Sequence, residues 1–405
     1  MNKRVAISAI GVRSPLGCTT EEVYTNIAQG TRCIAEIENL DTGGFSQKAA
    51  GEIRSSGKVV KTPPTVDRKA HFLEEAIRSL DDFSHFTKRY QPQDLVLNTG
   101  SGVDYVHIEK LFNDKEYLLD EGEELTSHHK SYALIREIAR KFNIDGGVNV
   151  FTAACVASTQ AIGTSYRMIR KGYRKAAVTG GSDSMINYVN FLGFQNLGAM
   201  SSSADAPYAC KPFDLKRDGT ILGEGAIMIL LEELPNAPED KIDAEIVGYG
   251  TTMDAYAVTD PDPAAASLAR AIEKALSDAG ITPEMIDCVH LHGTATPKNA
   301  PCEYKALKQV FGTRAATLPV YSLKGQTGHL IGSCGALEIL AAIYSLKNQV
   351  VLPTVNFREQ DPEAPLFVIT KKPYKIKIDY LLKLNSSFGG ENTALILKRH
   401  QLWDK

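Results

Sequence analysis

Cys155 stands in Val148-Asn149-Val150-Phe151-Thr152-Ala153-Ala154-Cys155-Val156-Ala157-Ser158-Thr159, where a β-branched and aromatic run gives way to small residues. The run that follows, from Ala157 to Lys171, reads as a helix with Ile162, Tyr166 and Ile169 on one face. A thiol at a helix N-terminus faces unpaired backbone N–H groups and the positive end of the dipole, both of which favour the thiolate, the nucleophilic form. The small neighbours leave room for an acyl group. A cysteine among alanines can equally be a small buried residue, and Cys334, between Ser333 and Gly335, has the same local appearance.

Two further stretches offer groups that could work with a thiol. Leu291-His292-Gly293-Thr294-Ala295-Thr296-Pro297 sets a histidine at a strand end beside a glycine, which permits close approach, and two hydroxyls. Ser322-Leu323-Lys324-Gly325-Gln326-Thr327-Gly328-His329-Leu330-Ile331-Gly332 adds a lysine and a second histidine in a glycine-rich loop, and Glu338 follows inside the helical pattern Ala336 to Leu346. The order GxxxxGK[ST] is absent, so this loop is no phosphate-binding P-loop. His290 and His292 share strand spacing, yet no cysteine or carboxylate cluster completes a ligand set, and no metal is expected. Ser387-Phe388-Gly389-Gly390 forms one more flexible loop before the strand Ala394 to Leu397.

The elements that must position these groups alternate between β-rich and helical runs. Val5 to Ile10, Leu95 to Asn98, Val148 to Phe151 and Ala176 to Thr179 read as strands, and Ala70 to Leu80, Tyr132 to Phe142 and Ser158 to Lys171 as helices, the grammar of an α/β protein. The second half repeats it. Ala244 to Gly250 resembles Ala6 to Gly11, Leu95 to Gly102 parallels Cys288 to Ala295, and Cys155 to Ile169 parallels Cys334 to Leu346. We expect an internal duplication with halves 1–238 and 239–405, joined near Leu234-Pro235-Asn236-Ala237-Pro238-Glu239-Asp240, so that equivalent loop ends surround one shared site.

With 405 residues, 43% hydrophobic and 23% charged, the chain is long enough for two or three cores and too ordinary in composition for disorder or a fibre. A formal net charge of −3 gives no general nucleic-acid footprint, and no apolar run approaches the ~20 residues of a membrane span. The seven cysteines are scattered without CxxC spacing, which points to free thiols in the cytoplasm. The charged stretch Phe112 to Lys130 reads as a solvated loop, with a cap over a pocket or a subunit contact as the alternative.

Five motifs stand in a telling order: Cys155 with its small flanks; Lys211-Pro212-Phe213-Asp214 leading to Arg217-Asp218-Gly219 and Gly223-Glu224-Gly225-Ala226; His292 to Pro297; Lys324 to Leu330; and Phe388-Gly389-Gly390. In this order the chain resembles the β-ketoacyl-acyl-carrier-protein synthases of the thiolase superfamily over nearly its whole length. The resemblance implies a five-layer α-β-α-β-α sandwich of two βαβαβαββ halves, usually dimeric. It implies decarboxylative Claisen condensation of an acyl thioester on Cys155 with a malonyl thioester. His292 and His329 would assist decarboxylation and stabilise the enolate, Lys324 and Glu338 would be an ion pair behind them, and the backbone N–H groups of Cys155 and Phe388 would form the oxyanion hole. Thr294 and Thr296 would bind the phosphopantetheine arm, Phe388 would form the gate, Gly389 would belong to the substrate-binding site, and Phe194 would line the acyl pocket or serve as ordinary core.

Departures from the family pattern are Ala154 before the nucleophile, Thr220 where Phe is common, Ala300 where Asp is common, and Ser386-Ser387 in place of a Phe-Gly pair. They point to a specialised enzyme resembling aryl polyene or type II polyketide ketosynthases. No permanently bound cofactor is implied; the substrates ride on the phosphopantetheine of acyl carrier protein. The partners implied are that carrier and a second chain, either identical or a chain-length factor, and the carrier is expected at a basic patch formed by Arg68 with Lys69 or Lys211 with Lys216. The alternatives are a thiolase-type enzyme and a non-catalytic interaction subunit; retention of Cys155, both histidines and Lys324 argues against the second.

Overall fold

The computed structural model describes residues 2–63, 66–80, 83–105, 119–120, 123–124 and 127–400. Most of Phe112 to Lys130, and so the solvated loop expected there with a cap or subunit contact as its alternative, lies outside these residues. Five strands carry the first half: β1 (Val5–Arg13), β2 (Leu95–Ser101), β3 (Val148–Thr152), β4 (Ala176–Ser184) and β5 (Glu224–Glu233). Five carry the second: β6 (Ala244–Met253), β7 (Cys288–His290), β8 (Pro319–Tyr321), β9 (Tyr380–Ser386) and β10 (Glu391–Lys398). The main helices are α1 (Arg68–Arg78), α2 (Ser127–Lys141), α3 (Ala157–Arg170), α4 (Tyr188–Asn196), α5 (Ala266–Ala279), α6 (Asn299–Phe311) and α7 (Cys334–Asn348).

The duplication is plain in the strand order. The first half runs β3-β2-β4-β5-β1 and the second β8-β7-β9-β10-β6, the same permutation of first to fifth strand. In each, the outer three strands are parallel and the last two pairings antiparallel. β1 pairs with β6 through Val5↔Ile246 to Ile7↔Ala244 and so links the two halves into one hydrogen-bonded ladder.

Three apolar clusters define five layers, because alternate residues of each strand face opposite sides. Ile227, Ile229 and Leu231 of β5 and Leu395 and Leu397 of β10 face a central cluster that holds Ile162, Tyr166 and Ile169 of α3 and Leu337, Ile339 and Leu340 of α7. Ala226, Met228 and Leu230 face outward to α1 and α2. Ala394 and Ile396, with Leu382 and Leu384 of β9, face outward to α5 and α6. The central helix α7 is therefore buried on all sides up to its last turn, and so is α3 except along Gln160, Thr164 and Arg167. Their N-termini bring the cysteine of one half and the histidine loop of the other to the same place.

Gly100 at the end of β2 illustrates how tightly this is set. A Cβ there would run into the Ala157 carbonyl and the Ser158 nitrogen at the start of α3. Gly100→Ala should therefore lower stability by about 1–3 kcal/mol, read from the urea midpoint, because neither backbone can give way without shifting α3. A variant as stable as the parent would contradict this close approach.

Candidate active site

β3 ends at Thr152, and the chain turns through one 3-10 turn, Ala154–Val156, into α3. The turn requires φ +45° at Ala154, an uncommon left-handed conformation for a residue with a Cβ. It lifts Cys155 out of the strand direction. The second half makes the same turn, with Ile331 also at φ +45°, the 3-10 turn Ile331–Ser333 and then α7. The structural counterpart of Cys155 is therefore Gly332. Cys334, paired with Cys155 by sequence, instead occupies the place of Ala157, with its Sγ 3.3 Å from the Cys155 carbonyl.

Cys155 Sγ lies 2.9 Å from His329 Nε2. The Gly328-His329 loop is held by the strand Gly223-Glu224-Gly225: His329 N–H donates to Ile221 O and Gly223 N–H to His329 O. Gly328 has φ +72°, and a Cβ there would press on the Leu222 backbone. His292 follows β7, and its loop is clamped by Glu303 of α6, whose carboxylate accepts from the N–H groups of His292 (2.6 Å) and Gly293 (3.0 Å). Arg217, paired with Asp361 at 2.7 Å, donates to the carbonyls of Thr296 and Pro297 and braces the far side of the same loop.

The partners of the rings fix where their protons sit. The Ile331 N–H donates to His329 Nδ1 at 3.2 Å, so Nδ1 is an acceptor and the ring hydrogen is on Nε2, facing the sulfur. His292 Nδ1 meets Lys324 Nζ at 3.3 Å and Asn385 Nδ2 at 3.1 Å, both donors, so His292 also carries its hydrogen on Nε2. The rings stand 5.2 Å apart at 80°, and Cys155, His292 and His329 bring one nitrogen or sulfur atom each within 4.8 Å of one another. His290 points elsewhere, with Nδ1 on Leu291 O and its ring against Tyr321.

Behind His292, Lys324 Nζ contacts Glu338 Oε1 at 2.6 Å and also donates to the His292 carbonyl. Burial alone would raise Glu338, but the Lys324 and Lys383 ammoniums hold it down to about 2. Burial disfavours the charged form of Lys324, and Glu338 overrides that and pushes it up to about 12. Burial and the Lys324 charge hold both His292 and His329 well below the ordinary imidazole value, so both rings are neutral. The thiolate expected from the helix N-terminus does not hold at rest: burial raises the Cys155 thiol to about 12, against the opposing pull of Lys324 and the Phe388 N–H on its sulfur. Desolvation outweighs the dipole in so enclosed a position.

The cavity before the sulfur is small, about 70 Å³, and its lining includes Cys155, His292, His329, Thr294, Thr296 and Phe388 together with Phe194, Thr220, Ser386 and Ser387. Phe388 stacks on Phe194 at 6.3 Å and 26°. The Thr294 and Thr296 hydroxyls are 2.9 Å apart. Ser387 Oγ is shielded from solvent without a protein partner. Gly389 does not line the cavity; it is the exposed turn beside it, at φ +87°, with its N–H on Val258 O. On the other side of Cys155 lies an apolar cluster of Phe45, Met185, Phe191, Leu222 and Ile331.

Of the two basic patches, Arg68 with Lys69 is ruled out. Arg68 is bound to the fully buried Glu224 at 2.5 Å, and Lys69 is itself buried and donates to Asp104 O. Lys211 and Lys216 do reach the surface, beside Arg358, Glu359 and Tyr208. Sequence reasoning missed Glu303, Thr159, Lys383 and the inward-facing role of Asn385. The signal for Lys383 and Asn385 was present, since polar residues alternate with leucines in Leu381-Leu382-Lys383-Leu384-Asn385, a strand with no exposed face.

A condensing-enzyme geometry of this kind has relatives, and the chain belongs to the β-ketoacyl synthase family: residues 2–237 match the β-ketoacyl synthase N-terminal domain and residues 243–358 the C-terminal domain. It is accordingly an acyltransferase of the β-ketoacyl-acyl-carrier-protein synthase type. Among curated relatives, 3-oxoacyl-[acyl-carrier-protein] synthase 2 of Synechocystis is 32% identical, with 98% of this chain and 99% of the relative covered. The enzyme of the same name from Staphylococcus aureus is also 32% identical, with 99% of each covered. Among solved structures, a chain of a type II polyketide ketosynthase complex with its acyl carrier protein superposes with a TM-score of 0.88 at 26% identity, covering 99% of this chain and 100% of that one. The ishigamide ketosynthase/chain length factor gives 0.86 at 28%, covering 99% and 100%.

The Glu338 value has a consequence for stability. A carboxylate at about 4.3 in the unfolded chain and held lower in the fold contributes stability that is complete above about pH 4.3 and is lost as pH falls through the folded value. The urea midpoint of the parent should therefore fall more steeply between about pH 4.5 and 2.5 than that of Glu338→Gln. Equal slopes would contradict the buried ion pair.

Proposed function

We propose that Cys155 takes an acyl chain from the phosphopantetheine thiol of an acyl carrier protein and condenses it with a malonyl unit on the same kind of carrier. The convergence of two imidazole Nε2–H donors on the space before Cys155 Sγ is the observation that carries this reading. In the first half-reaction the sulfur attacks the acyl carbonyl, the oxyanion is held by the backbone N–H groups of Cys155 and Phe388, and the leaving pantetheine sulfur takes the Cys155 proton. In the second, malonyl thioester loses CO₂ while His292 and His329 donate to the thioester oxygen, which becomes the enolate oxygen. The enolate carbon attacks the Cys155 acyl group, Cys155 is expelled, and a β-ketoacyl carrier protein leaves.

Thr294 and Thr296 would hold the pantetheine amide, and Phe388 would be the gate: displacing it breaks its stack on Phe194 and opens a cavity otherwise too small for an acyl chain. The apolar cluster around Phe45 and Phe191 would take the chain. Thr220 and Ser387, a small residue and an unpartnered hydroxyl in the cavity lining, favour a polyene or polyketide intermediate over a plain saturated chain. Lys211, Lys216 and Arg358 would receive the acidic carrier.

A second chain would pair along β3, which ends the sheet with Val148, Val150 and Phe151 only half-buried. A chain-length factor is a specific alternative to a second copy there, favoured by the likeness to the ishigamide complex. No helix of the described residues is long and apolar enough to cross a membrane, and all seven cysteines are free, which fits a reducing compartment such as the cytoplasm.

Incubation with acyl carrier protein should leave one acyl adduct on Cys155 by peptide mass spectrometry. Cys155→Ala should abolish the adduct and Cys334→Ala should keep it; an adduct on Cys334 in the parent protein would overturn the assignment.

A further inference from the structure

Lys383 lies in the centre of the molecule with a side chain wholly removed from solvent, on a strand whose other inward residues are Leu381 and Asn385. An ammonium so placed is costly unless it is paired and hydrogen-bonded. Lys383 Nζ donates to Thr159 Oγ1 of α3 and to Asn385 Oδ1, and lies 3.4 Å from Glu338 Oε2. Room for it is made by Gly335 of α7, where a Cβ would collide with Thr159 Oγ1 and crowd Lys383 Nζ and Asn385 Oδ1. Three elements of the two halves, α3, α7 and β9, thus converge on one buried cation that the proposed chemistry does not use.

We propose that Lys383 is a positioning residue: it fixes the side-chain amide of Asn385 so that the NH₂, and not the oxygen, meets His292 Nδ1, which holds the His292 proton on Nε2 toward Cys155. The oxygen and nitrogen of an amide have nearly the same shape, so contact distances alone do not orient it. Charge does. An ammonium can only donate, so the atom it touches is Oδ1, to which Thr159 Oγ1 also donates at 2.6 Å. Nδ2 must then donate to Glu338 Oε2 at 2.7 Å and to His292 Nδ1 at 3.1 Å. The reversed amide would set NH₂ against Lys383 and oxygen against the Glu338 carboxylate. Lys324 constrains the same Nδ1 from another side, at 3.3 Å, so His292 is held by two donors of which one depends on Lys383.

The inference rests on His292 as enolate donor, as proposed above, and its consequence falls on decarboxylation rather than on acyl transfer to Cys155. Lys383→Met keeps the length of the side chain and leaves Thr159 and Asn385 bonded to each other. In the full-length protein it should transfer acyl groups to Cys155 within roughly twofold of the parent, by mass spectrometry, while kcat for decarboxylation of malonyl carrier protein falls about tenfold or more with KM within roughly twofold. Nitrogen NMR of histidine-labelled protein should show the His292 proton on Nε2 in the parent and a share of it on Nδ1 in Lys383→Met. Decarboxylation within twofold of the parent, or an equal loss of acyl transfer and decarboxylation with the tautomer unchanged, would overturn the proposal. A His292 proton on Nδ1 in the parent would overturn it with no variant needed. If the parent neither takes up acyl groups nor decarboxylates, the proposed reaction fails, and the tautomer still decides the role of Lys383.

Discussion

The Lys324–Glu338 ion pair is the constraint on which the site depends. Both side chains are almost wholly buried, and neither could be charged there alone. Paired at 2.6 Å, they present a fixed ammonium to His292 Nδ1 and to the His292 carbonyl. That contact holds the His292 proton on Nε2, and burial together with the positive charge holds both imidazoles well below their ordinary value. Neutral rings with Nε2–H groups are hydrogen-bond donors of fixed direction, which is what a developing enolate oxygen requires. The pair stands one step back from the chemistry and decides its form.

Neither half of the molecule could build this site. The first supplies Cys155 at the start of α3 and Thr159 one turn later; the second supplies both histidines, Lys324, Glu338 and the β9 residues. Duplication solves the geometric problem by setting two equivalent helices, α3 and α7, side by side in the central layer. The same left-handed turn, at Ala154 and at Ile331, precedes both. In one half that turn carries Cys155, the proposed nucleophile. In the other its counterpart is Gly332, whose N–H donates to Asp183 and whose missing side chain lets the Ser101-Gly102 backbone approach closely.

The architecture was legible because periodicity is a local property: alternating apolar strands and helical stripes mark β1, β2, α3 and α5 closely, and the repeated grammar announces the second half. Cys155, His292, Lys324, His329 and Phe388 were legible as chemically distinctive residues in glycine-rich settings. What failed depended on packing between distant segments. Arg68 and Lys69 read as a surface pair, but Glu224 binds Arg68 across 156 positions and Lys69 is buried. The activated thiolate was inferred from a helix end, with no measure of the desolvation that outweighs it. Lys383 and Asn385 were passed over because polar residues that alternate with leucines read as the solvent face of a strand, whereas this strand is buried on both faces and its lysine is a partner for Glu338.

The central claim is that His292 and His329 act as neutral donors, and nitrogen NMR of the two rings across pH tests it most directly. His329, His290, Lys324 and Lys383 surround His292 with positive or neutral groups, and Glu338 is neutralised by its lysines. Burial raises Glu303, which clamps the His292 loop, to about 7 and Asp183, on the Gly332 N–H, to about 6. The rate can therefore change in this range without either imidazole titrating, whereas the ring nitrogens report the imidazoles themselves. The account predicts that neither ring takes up a proton as pH falls from about 7.5 to about 5.5, through the ordinary imidazole value. Protonation of either ring with a midpoint near pH 6.5, about the value of a free histidine, would contradict it.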